Sequence, residues 1–218
     1  MVDFSLHHET ISPETSQTDS PCIILLHGRG ADEQDLLGLS SHFPDALQII
    51  SLQAPDRLGP GYTWYELDLS GGGLHESQPD REDFQRSLTL LDNFRTEAID
   101  AYDIDPNQIG LLGFSQGGIL GFASILDYPD KYAYCIGLHS YLPASYQHNE
   151  KTEGIQGFPI FIGAGTADDI IPVSRAETAA EYFKKWNADI TFNTYNTGHG
   201  IGSEELADVT DWLTTHYR

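Results

Sequence analysis

The chain reads as an α/β fold: a mostly parallel central sheet with helices on both faces and no large lid domain. Three observations predict it. Short, solidly apolar runs recur along the sequence, as in strands covered on both faces. Amphipathic helical stretches separate them. No Pro/Gly/Ser-rich linker and no internal repeat divides the 218 residues, so one domain spanning 1–218 is expected.

The strands are read at 22–27, 47–52, 108–114, 133–138, 159–163 and 190–195, each bounded by breakers. The segment 2–10 reads as an added antiparallel edge strand. Helices are expected over 32–42, 80–102, 116–126, 174–186 and 203–216. In the second of these, Phe84, Leu88, Leu91 and Ala98 keep the three-four spacing of one buried face. In the last, Ser203 reads as the N-cap, with Glu204 and Glu205 beside the positive end of the helix dipole. The stretch 54–79 fits neither period. It carries Gly59, Gly61, Gly71, Gly72 and Gly73 around Tyr62, Trp64 and Tyr65, and connections of that length are commonly functional. Trp64 and Tyr65 are therefore expected as a substrate wall, with a plug over the sheet as the alternative.

Composition narrows the function. With 33 Asp and Glu against 11 Lys and Arg, the net charge is −22, which repels nucleic-acid phosphates and acidic lipid headgroups. No apolar run approaches the roughly 20 residues that cross a bilayer. The first residues have neither a cationic start nor an apolar stretch, so no secretory signal is expected and the address read is cytoplasmic. Cys22 and Cys135 lie in apolar stretches and read as buried free thiols.

The most specific motif is Gly113-Phe114-Ser115-Gln116-Gly117, a G-x-S-x-G pattern with an apolar strand before it and a helical run after it. That context places serine on a sharp strand-to-helix turn, where side chains two before and two after would collide with neighbouring backbone. Ser115 is the candidate nucleophile. A serine hydroxyl needs a base within hydrogen-bond reach and a carboxylate that orients the base. His199, between Gly198 and Gly200 after the last strand, is the candidate base. Asp168 and Asp169 follow the strand at 159–163, at the edge where sheet enzymes gather their chemistry. Asp168 is the preferred acid, and Asp169 reads as a turn carboxylate ahead of Pro172. The oxyanion of an ester intermediate would be held by the backbone amides of Gln116 and of Arg29, the latter in the glycine-bounded turn after the first parallel strand.

These residues carry a resemblance. Leu25 to Glu33, Gly113 to Gly118, Gly165 with Asp168 and Pro172, and Gly198-His199 together resemble the phospholipase/carboxylesterase family of α/β-hydrolases, which includes acyl-protein thioesterases and small bacterial carboxylesterases. The resemblance implies an α/β-hydrolase fold and a serine esterase with the chain order Ser115, Asp168, His199, and it makes a homodimer plausible. Asp169 and the segment 61–65 look more like the bacterial branch. Rival readings are weaker. The turn at Gly28 and Gly30 would need its third dinucleotide-loop glycine at Glu33, and the nine histidines show no metal-ligand spacing, so neither cofactor nor metal is expected. A non-catalytic binding module would be expected to have lost part of the trio. The expected activity is hydrolysis of a small-molecule, short-chain carboxylic ester through an acyl-serine, with thioesterase or lysophospholipase activity on the same scaffold as the alternative.

Overall fold

All seven residues of the strand Ser20–Leu26 (β2) are buried, and their alternation explains why. Ile23 and Leu25 face one apolar core and Ile24 and Leu26 face another, so the strand is covered twice. The computed structural model describes residues 4–14, 19–147 and 153–217. Around β2 it arranges His8–Ile11 (β1), Gln48–Leu52 (β3), Ile104–Phe114 (β4), Tyr134–Leu138 (β5), Pro159–Gly165 (β6) and Asp189–Tyr195 (β7). They form one seven-stranded sheet in the order β1-β3-β2-β4-β5-β6-β7. Only β1 runs antiparallel, pairing His8 with Leu52 through Ile11 with Ile49. The edge strand expected over 2–10 is therefore present but lies later; residues 2 and 3 are outside the described residues.

Three helices cover one face: Arg81–Tyr102 (α2), Gln116–Asp127 (α3) and Val173–Lys185 (α4), whose Leu88, Leu91, Phe122 and Phe183 join the core containing Ile24. Gln34–Leu37 (α1) and Ser203–His216 (α5) bring Leu36, Val209 and Leu213 to the other face, beside Ile23 and Leu25. In α2 the Asp80 carboxylate caps the start by accepting the N–H groups of Glu82 and Asp83. The helix expected over 32–42 is cut short: it ends at Leu37 with Gly38 as C-cap, and a 3-10 turn follows at Ser40–His42. Glycine and paired serines are poor helix formers, which accounts for the break. Ser203 is the first residue of α5, and the cap is Gly202, whose carbonyl accepts the Leu206 N–H.

The connection 54–79 is not structureless. Asp56–Leu58 pairs with Gly61–Thr63, and Leu67–Asp68 with Gln78–Pro79. It docks by backbone onto the turn after β2: the Gly30 N–H donates to Tyr62 O at 2.7 Å and the Tyr62 N–H to Ala31 O at 2.8 Å. A Cβ on Gly61 would lie 2.0 Å from Gly30 O, so only glycine allows this approach.

Chain order leaves β2 to build β3 on one side and returns to place β4 on the other. The ends of β2 and β4 therefore flank a topological switch point, where open α/β sheets bind their ligands.

Candidate active site

Ser115 follows β4 directly, with φ 52° and ψ −117°, a conformation L-residues rarely hold. The glycines around it are sterically required. A Cβ on Gly113 would meet Gly117 C at 2.4 Å, and one on Gly117 would meet Leu26 O at 2.0 Å. The bend is held from behind, where the Ser115 N–H donates to Leu138 O at 2.8 Å.

The three side chains singled out by the sequence meet. Ser115 Oγ lies 2.9 Å from His199 Nε2, and His199 Nδ1 lies 2.7 Å from Asp168 Oδ2. An ionised carboxylate only accepts, so His199 carries its proton on Nδ1 and Nε2 is left to accept from the serine hydroxyl. The other oxygen, Asp168 Oδ1, accepts the Ile170 and Ile171 N–H groups, each at 2.9 Å. Burial works to raise the Asp168 pKa, but the hydrogen bonds from His199, His139 and these two amides outweigh it and hold the carboxyl below its ordinary range. No hydrogen bond to this pair comes from Asp169, whose carboxylate is exposed.

His139 and Glu205 were not read as site residues from the sequence. His139 follows β5 with φ 50°. Its Nδ1 sits 2.8 Å from Asp168 Oδ2, the same oxygen that His199 uses, and its Nε2 sits 3.1 Å from Glu205 Oε2. The side chains of His139 and Glu205 are fully buried. Glu205, read as a first-turn carboxylate beside the dipole of α5, turns into the protein. It fits because β6 has Gly163, where a Cβ would lie 2.3 Å from Glu205 Oε1. The sequence signal was that strand glycine, which marks a close approach. His139, Asp168 and His199 also form a cluster of possible metal ligands, with ligand atoms within 4.8 Å of one another. Both nitrogens of each imidazole and both oxygens of Asp168 are already engaged in hydrogen bonds.

The turn after β2 is fixed by His27. Its Nδ1–H donates to Gly28 O at 2.7 Å, and its Nε2 accepts the Ala54 N–H at 3.0 Å. Burial pushes the His27 pKa below the ordinary value, consistent with this neutral tautomer. Because carbonyl and N–H of a trans peptide point oppositely, holding Gly28 O fixes the direction of the Arg29 N–H. Gly28 itself lies against the nucleophile turn, where a Cβ would be 3.6 Å from Ser115 Cβ. The Arg29 guanidinium turns away to Glu66 at 3.3 Å, on the rim.

The aromatic wall needs correction at Trp64. That residue is fully buried, its indole N–H donating to His27 O at 3.0 Å, so it braces the turn and does not line the cavity. The reason is the Gln116 side chain, whose Oε1 accepts the Trp64 N–H at 2.9 Å and whose Nε2 donates to Tyr65 O at 2.7 Å. Tyr65 does line the cavity beside Ser115, which is about 210 Å³ and is walled by Leu67, Leu74, Ile119, Tyr141 and Ile170. Arg29 and Gln116 stand at the same cavity.

Comparison with known proteins gives the family and the fold. The family described as Phospholipase/Carboxylesterase matches residues 6–217. Acyl-protein thioesterase 1 of Candida albicans is 26% identical, with 92% of this chain and 94% of that protein covered. The protein of the same name from Gibberella zeae is 31% identical over 78% of this chain and 74% of its own length. Among solved structures, the carboxylesterase of Bacillus cereus superposes with a TM-score of 0.84 at 24% identity, covering 97% of this chain and 94% of that one.

Proposed function

The chain belongs to the phospholipase/carboxylesterase family of α/β-hydrolases and is a hydrolase of the carboxylic-ester class, and from that premise we propose that it cleaves short-chain esters through an acyl-Ser115 intermediate. The observation that carries the reading is the hydrogen-bonded line from Ser115 Oγ through His199 to Asp168 at the mouth of a small apolar cavity. His199 Nε2 takes the serine proton as Oγ attacks the acyl carbonyl. The imidazolium so formed is stabilised by Asp168, then returns the proton to the leaving alcohol. A water takes the same path in reverse and releases the acid. The oxyanion is held by the backbone amides of Arg29 and Gln116, the first aimed by His27 and the second at the start of α3.

The preference for short acyl groups rests on the cavity. Tyr65 is held against it by Gln116, and Tyr141 donates to Ser77 O at 2.8 Å, so its walls are tied down. Thioester cleavage is the second reading, favoured by the acyl-protein thioesterases among the relatives. An acyl-length series run with matched oxygen esters and thioesters tests both. We expect acetyl and butyryl oxygen esters to turn over faster than palmitoyl. Faster palmitoyl cleavage would overturn the chain-length reading, and a consistent thioester preference the oxygen-ester one.

A further inference from the structure

We propose that His139 and Glu205 are positioning residues of the reaction, a buried imidazolium–carboxylate pair that holds Asp168 toward His199 while leaving the group its single negative charge. The inference rests on the proposed roles of Ser115, His199 and Asp168.

The geometry assigns the protons. His139 has a carboxylate oxygen at each nitrogen, Asp168 Oδ2 at 2.8 Å and Glu205 Oε2 at 3.1 Å. With both carboxylates ionised, both nitrogens must donate, and the ring carries a positive charge. Burial opposes that charge, but the hydrogen bonds to Glu205 and Asp168 outweigh it and raise the His139 pKa. The sum over Asp168, His139 and Glu205 is then one negative charge, equal to that of a lone orienting carboxylate. Glu205 is what lets the buried ring keep its second proton beside Asp168.

Location argues against a packing role alone. A buried carboxylate is costly unless paired, and Glu205 is fully buried. His139 also holds a left-handed backbone conformation, and Gly163 leaves the space that Glu205 occupies. The titratable groups facing the pair are Asp168 and His199 on the solvent side, the latter with its ring centroid 5.6 Å from that of His139, and Tyr195 and Asp208 beyond Glu205. Tyr195 donates to Asp208 at 2.8 Å, so that carboxylate is already engaged.

The test combines the pH dependence of kcat/KM with nitrogen NMR of histidine-labelled protein. In the unaltered enzyme we expect both His139 nitrogens protonated at neutral pH. His139→Gln removes the cation, and Glu205→Gln leaves His139 to lose its proton. Either change strengthens the negative field of Asp168 at His199, so the acid limb of kcat/KM moves to higher pH by roughly one unit. We expect kcat to fall about 10-fold or more with little change in KM, the scale typical of partners that orient a reacting group. Loss of packing alone would lower kcat without moving the limb. Labelling of Ser115 by a fluorophosphonate separates the failures: no labelling of the unaltered enzyme sinks the reading of the site itself. Normal labelling with an unmoved acid limb in both variants, or a neutral His139 ring by NMR, sinks the pair alone. If a variant does not fold, the NMR state of His139 in the unaltered enzyme decides.

Discussion

Asp168 Oδ2 has two imidazoles on it, and the two differ in almost everything but distance. His199, at 2.7 Å, is partly exposed and turns its far nitrogen to Ser115. His139, at 2.8 Å, is fully buried and turns its far nitrogen to Glu205. One ring ends on a hydroxyl with a proton to give, the other on a carboxylate that only receives. The difference teaches that a histidine's role is set by what lies beyond it: on the reading proposed above, the same contact makes a proton acceptor on the open side and a fixed cation on the closed side.

The largest effects are expected where the open side is broken. Ser115→Ala or His199→Ala is expected to lower kcat by about a millionfold, the scale of a lost nucleophile or base acting as a unit, while the thermal midpoint stays within a few degrees. Hydrolysis of p-nitrophenyl acetate and a melting curve measure both. Asp168→Asn is expected to cost about ten-thousandfold through loss of the correct tautomer. Asp169→Asn should leave turnover within a factor of a few; the reverse order would reassign the acid.

On the closed side the expected effect is one of stability. Gly163→Ala drives a Cβ to 2.3 Å from Glu205 Oε1 and 3.0 Å from Leu138 Cδ2, and is expected to cost about 1–3 kcal/mol by overpacking. Urea unfolding at fixed pH reads that loss, and an unchanged midpoint would mean that Glu205 moves freely.

The smallest effect contrasts His139 with His27, the other buried histidine among the described residues. His27 has its pKa lowered by burial below the ordinary 6.5, so the unfolded chain binds a proton that the folded one resists. Its contribution to stability is present above pH 6.5 and is lost as pH falls from there toward the folded pKa. His139 has its pKa raised, so its contribution is full below 6.5 and is lost as pH rises through the folded pKa. Stability measured from pH 5 to 7 should therefore fall less steeply toward acid in His27→Gln than in the unaltered protein, to be checked by denaturant titration at each pH.

Legibility followed the range of the interactions. Ser115, Asp168 and His199 could be named because each stands at a strand end in a motif written in adjacent residues. His139 also stands at a strand end, but Leu138-His139-Ser140 carries no motif, and Glu205 looked like an ordinary acidic residue in a first helical turn. Trp64 was read from its neighbours as a wall, yet the hydrogen bonds that turn it inward come from Gln116, more than fifty residues later. The helix α1 is shorter than 32–42 because the backbone stops at Gly38.

By itself the sequence determined the alternation of strand and helix, the sharp turn at Ser115 and the order along the chain of the three side chains that meet. Those properties depend on side-chain period and on glycine sterics within a few residues. Only the tertiary structure decided which acids and imidazoles share protons. β4, β5 and β6 lie side by side, so Ser115, His139 and Asp168 leave neighbouring strand ends, and α5 returns Glu205 beneath them. Whether a carboxylate meets water or an imidazolium depends on that lateral strand order, which brings together residues 66 apart in the chain.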